Sequence, residues 1–83
     1  MTDIIKGNRV VIISGVYKGC TGEVIERHRA GEFCSVYLEV PKAVSIKTEE
    51  GFVIFKDHRT VLIETPNLLR LNTFGEVIYG ENS

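Results

Sequence analysis

The run Gly7-Asn8-Arg9-Val10-Val11-Ile12-Ile13-Ser14-Gly15-Val16-Tyr17-Lys18-Gly19-Cys20-Thr21-Gly22-Glu23-Val24-Ile25 decides the fold class. Its β-branched block, Arg9-Val10-Val11-Ile12-Ile13, suits a pleated, packed strand better than a helix, because χ1 is restricted in both residue types. The block stops at Gly15, and three glycines (Gly15, Gly19 and Gly22) shape the connection by backbone need rather than by side-chain burial. Glu23-Val24-Ile25-Glu26-Arg27 then returns as a second strand. Gly19 and Gly22 stand where a tight reversal needs positive φ or leaves no room for a Cβ. Tyr17 and Lys18 project from the loop beside exposed amides. A cation, an aromatic face and free N–H groups suit a small anionic or single-stranded ligand.

Outward from this hairpin the apolar pattern keeps a period of two rather than 3.6. Residues 33–40 alternate, with Cys34, Val36, Leu38 and Val40 on one face and Ser35, Tyr37 and Glu39 on the other. Pro41 cannot donate to a ladder and reads as the end of that strand. Residues 43–48 read as a short strand or an extended loop. Glu49-Glu50-Gly51 is a turn signal, followed by the strand Phe52-Val53-Ile54-Phe55-Lys56. Within it Phe52 and Phe55 fall on opposite faces, one toward the core and one half-exposed. Asp57-His58-Arg59 reads as a tight polar link to Thr60-Val61-Leu62-Ile63-Glu64, which Thr65-Pro66-Asn67 stops. Asn67 caps a short helical turn near 66–71, through Leu68, Leu69 and Leu71.

Five or six short strands with glycine-rich turns predict an all-β chain, a small antiparallel barrel over residues 1–71. Residues 72–83, which include Phe74 and Val77-Ile78-Tyr79, form a tail or an edge strand. No segment has the pattern of a long amphipathic helix, and no βαβ rhythm calls for a parallel sheet.

The glycine–lysine run resembles the KOW motif of large-subunit ribosomal proteins and of transcription elongation factors related to the bacterial antitermination protein. That motif runs Gly, a polar residue, a hydrophobic block, Gly, two variable residues, Lys-Gly, two variable residues, Gly, a variable residue, Val. Here Gly7, Asn8, the block 10–13, Gly15, Lys18, Gly19, Gly22 and Val24 stand in that register. The resemblance implies an SH3-like barrel, which the strand count fits. It also implies a non-catalytic module that binds RNA or other proteins in transcription or translation. The chain departs from the ribosomal members in charge, and Cys20 stands where a basic residue often follows the Lys-Gly pair in those members.

Ten Lys plus Arg against eleven Asp plus Glu in 83 residues give a net charge of −1, so no overall basic field attracts nucleic acid. The charge is nevertheless uneven. In residues 1–30, Lys6, Arg9, Lys18, Arg27 and Arg29 outnumber Asp3, Glu23 and Glu26, whereas in residues 60–83 Arg70 faces Glu64, Glu76 and Glu81. Arg27, His28 and Arg29 form the densest basic cluster. No apolar run approaches the ~20 residues that span a bilayer, and no secretory h-region is visible, so a soluble, cytoplasmic chain is expected without membrane insertion.

Cys20 and Cys34 form no CxxC pair and read as two free thiols of a reducing compartment, with a single disulfide as the alternative. The spacings among Cys20, His28, Cys34 and His58 match no standard zinc site. No Walker loop, HExxH, GxSxG or paired-carboxylate pattern is present, so neither a cofactor nor an enzymatic activity is expected.

The site expected from sequence is the 15–22 loop. Lys18 and Tyr17 touch RNA or a ribosome or RNA polymerase complex, and Arg9, Arg27 and Arg29 supply contacts to phosphate or carboxylate. Gly15, Gly19 and Gly22 form the turn. The alternative is a protein-docking accessory subunit, of the kind found in electron-transfer complexes, using the apolar stretch Leu68-Leu69-Arg70-Leu71. The oligomeric state stays open, a homo-oligomer joined through strand edges included.

Overall fold

The computed structural model describes residues 4–78. The chain is all-β, with β1 (Arg9–Ile12), β2 (Thr21–His28), β3 (Phe33–Lys47), β4 (Val53–Glu64), β5 (Leu68–Leu71) and β6 (Val77–Ile78). The only helical segments among the described residues are two 3₁₀ turns, Arg29–Gly31 and Thr65–Asn67. All strand pairs are antiparallel, and the strands follow the order β4-β3-β2-β1-β5-β6 in one sheet. Val61 and Ile63 of the β4 edge share a core with Leu68 of β5, four places along that order. One sheet can bring those residues together only by curling, which gives a small barrel-like fold, as the strand pattern leads one to expect.

Alternation chooses the core. Val10 and Ile12 of β1, Val24 of β2, and Cys34, Val36 and Leu38 of β3 are all completely buried. Removing a side chain of this size from water stabilises the fold by roughly 1.5–3 kcal/mol. Gly22 lies in the same layer, opposite Val10 and Leu38. A Cβ there would come within 2.8 Å of the Val36 Cγ1 and closer still to the Tyr37 carbonyl. The second glycine of the loop has the other reason. Gly19 has φ +90°, with open space around it.

Three sequence expectations are corrected. Pro41 does not end β3, which runs on to Lys47. The proline falls where the β3–β4 register shifts between Tyr37 and Lys42, a break in the ladder that needs no N–H. Asp57-His58-Arg59 is not a link between two strands but the middle of the twelve-residue β4. Leu68–Leu71 is not helical either, because the 3₁₀ turn stops at Asn67. Leu68, Leu69 and Arg70 pair with Ile12, Val11 and Val10, filling the open edge of β1.

The continuous β3 and β4 project beyond the barrel as a two-stranded arm. It is paired from Lys42↔His58 to Lys47↔Val53 and closed by a turn at 48–52. Six residues of strand extend about 20 Å. The Cα radius of gyration is 14.3 Å, against about 12 Å for a compact domain of this length. The extents of 52 × 28 × 18 Å show the same elongation. Both Phe52 (70% exposed) and Phe55 (73%) lie on the arm, so neither is the core residue expected of one of them.

Beyond β5, Val77 and Ile78 pair with Leu71 and Arg70 as an edge strand. Tyr79 lies outside the described residues.

Candidate functional site

The loop joining β1 to β2 is held by its own backbone hydrogen bonds. Its backbone closes on itself through Lys18 N–H to the Gly15 carbonyl (3.2 Å), Gly19 N–H to Ile12 (2.7 Å) and Cys20 N–H to Tyr17 (3.0 Å). These three amides are therefore spent inside the loop, whereas those of Ser14, Gly15, Val16 and Tyr17 donate to no carbonyl among the described residues. Lys18 is exposed and carries no side-chain hydrogen bond or ion pair among the described residues.

Tyr17 is not a free stacking surface. Its ring packs against the core, and its hydroxyl lies 2.5 Å from His58 Nδ1 on β4, the ring centroids 6.1 Å apart. The loop is thereby fastened to the base of the arm. Between them lies a cleft of about 250 Å³, lined by Gly19, Cys20, Thr21, Val40, Pro41 and Lys42. Lys42 thus brings a cation to the cleft that Gly19, Cys20 and Thr21 of the loop also line. Cys20 borders the cleft and Cys34 is buried in the core; both thiols are free.

Arg9 is committed elsewhere. Its guanidinium makes a two-pronged ion pair with Glu39, Nε to Oε1 at 2.5 Å and Nη2 to Oε2 at 3.1 Å, across from β1 to β3. The hydrogen bond from Arg9 holds the Glu39 carboxyl below its ordinary range, and the same bond raises the Arg9 guanidinium. Nearby, Arg59 lies over the Tyr37 ring at 4.7 Å and donates to the Glu39 carbonyl.

Arg27 and Arg29 stand at the far end of β2. Seven residue steps separate Thr21 from His28, about 23 Å of strand. The five residues singled out from sequence therefore do not form one surface. Arg27 and Arg29 line an open depression of about 640 Å³ with His28, Phe33 and Leu62. Its polar groups are largely engaged within the chain. Arg29 covers the Phe33 ring at 5.7 Å, His28 Nε2 is 2.7 Å from Ser35 Oγ, and the Arg27 guanidinium fills the space over Gly31. Arg29 and Ala30 both hold left-handed backbone there, φ 50° and 56°.

Sequence reasoning missed Lys42 and His58 as neighbours of the loop. The available signal was the pair of apolar blocks, 43–48 and 52–56, on either side of Glu49-Glu50-Gly51, which together spell a hairpin. The apolar stretch 68–71 offered for docking is not free. Leu68 and Leu71 are buried, and β5 lies between β1 and β6.

No protein-family model and no curated protein matches the chain. No described helix is long and apolar enough to cross a membrane, and no three His, Cys, Asp or Glu among the described residues gather as metal ligands.

Proposed function

We propose that this chain is a non-catalytic binding module of the KOW type. It engages single-stranded RNA, alone or within a transcription or translation complex, through the 15–22 loop and the adjoining base of the arm. One observation carries the reading: Lys18 is exposed on an internally bonded loop whose next residues, Gly19, Cys20 and Thr21, line a cleft together with Lys42. A cation on a rigid support meets a phosphate with little ordering cost, and phosphate contacts supply most sequence-independent affinity. Tyr17 acts here by fastening the loop to His58 rather than by stacking on a base. Arg9 holds Glu39 and is removed from the contact set, and Arg27 and Arg29 lie too far away to share a short ligand with Lys18.

The experiment is a fluorescence-anisotropy titration of a labelled single-stranded RNA between about 50 and 200 mM salt. Affinity should fall with salt, and Lys18→Ala and Lys42→Ala should each flatten the logarithmic salt slope by about one. Arg27→Ala should leave the slope unchanged. A salt-independent or absent interaction rejects the reading.

A second reading, a protein-docking module, is favoured by the exposed Phe52 and Phe55 of the arm. It predicts no RNA binding even at low salt.

A further inference from the structure

We propose that the arm is a self-association surface, on which a second copy of this chain packs antiparallel about a two-fold axis. The proposal is independent of the RNA reading. A two-stranded ribbon standing clear of its domain is marginally stable in water and gains most from being covered.

The register defines the two faces of the arm, since directly paired residues point the same way and successive pairs alternate. One face carries Lys42, His58, Val44, Lys56, Ile46 and Ile54, and joins the loop through His58. The opposite face carries Lys47 and Val53 at its outer end, Ser45 and Phe55 in the middle, and Ala43 and Asp57 at its inner end. All six of these residues are exposed. Lys47 and Asp57 make no ion pair among the described residues.

This second face is complementary to itself. Lys47 and Asp57 lie one pair to either side of the Ser45–Phe55 centre, each displaced by about 7 Å along the strand. A two-fold axis through that centre lays the outer end of one arm over the inner end of the other. Lys47 then meets Asp57 of the second copy, and the relation occurs twice by symmetry. Phe55 from both copies fills the middle, where the small Ser45 leaves space, and Ala43 and Val53 flank it. Facing sheets pack about 10 Å apart, within the combined reach of a lysine and an aspartate. Turning the copies parallel instead sets Lys47 against Lys47 and Asp57 against Asp57, which opposes that arrangement.

Six residues a side fall well short of the ~800 Å² per partner of a standard interface, so the dimer is a weak one, on the order of 10–100 µM. The test is sedimentation equilibrium of the full chain across that concentration range at low salt. The wild type should run as a monomer–dimer equilibrium. Lys47→Asp and Asp57→Lys, each placing like charges in contact, should weaken the dimer by about tenfold or more. The double variant Lys47→Asp/Asp57→Lys should restore it. Circular dichroism checks that each variant keeps its sheet. A wild type that stays monomeric, or a double variant that does not regain what the singles lose, overturns the proposal. A dimer indifferent to both single reversals also overturns it and moves the contact to the open β4 edge. Lys18→Ala should leave the equilibrium untouched, so this result stands or falls apart from RNA binding.

Discussion

The hydroxyl of Tyr17 lies 2.5 Å from Nδ1 of His58, so the glycine-rich loop and the projecting arm are joined by one polar contact. That contact links residues 41 positions apart and fastens the loop to the base of the arm. Tyr17→Phe keeps the ring against the core and removes only the bond. A partly buried hydrogen bond contributes about 1 kcal/mol, so the variant should lose about that much stability. Amide exchange should quicken at the base of the arm, residues 42–44 and 56–58, while the barrel strands keep their protection.

Gly19 and Gly22 should respond differently to alanine. At Gly22 the added methyl meets the Tyr37 backbone and the Val36 side chain, and overpacking of a core layer costs about 1–3 kcal/mol. At Gly19 nothing obstructs the methyl, but the positive φ costs about 1–2 kcal/mol. Gly22→Ala should therefore also disturb β2–β3 pairing, seen in the amide shifts of Val36 and Leu38. Gly19→Ala should disturb the loop alone.

Leu38 is completely buried near the point where the arm leaves the barrel. Leu38→Ala should cost about 2–5 kcal/mol, a large share of the total stability of so small a domain. Thermal unfolding should show a steep fall in midpoint.

Much of the barrel was legible because its signals are local. β-Branched runs, glycine punctuation and the 33–40 alternation each report on neighbours in the chain, and the fold agrees with them except at Val40, which was expected on the core face and is 74% exposed. The missed features depend on partners far away. Pro41 is tolerated because the register slips beside it, a fact of pairing with β4 rather than of the proline. Leu68–Leu71 becomes a strand because β1 offers an unpaired edge, and a four-residue Leu-Leu-Arg-Leu block has no periodicity to announce that. For the candidate site, the exposure of Lys18 was readable from its place in the glycine-rich loop. Arg9 looked equally available, but Glu39 lies thirty residues away in sequence and sits beside it only after folding.

The Arg9–Glu39 pair gives a pH signature. The Glu39 carboxyl is held below its ordinary range by the Arg9 hydrogen bond. A depressed folded-state carboxyl stabilises the protein above the unfolded carboxylate range, and that contribution is lost as pH falls through the folded value. Denaturant unfolding of wild type and Glu39→Gln should therefore differ at neutral pH and converge under acid conditions. The difference should be small, since both groups are exposed to solvent.

The most direct test of the binding reading is amide chemical-shift mapping of the full chain titrated with a single-stranded RNA at low salt. Shifts should concentrate at residues 15–22, at 40–42 and at 56–58, and they should recede as salt rises. Shifts confined to 27–33, or an unchanged spectrum at saturating RNA, would contradict it.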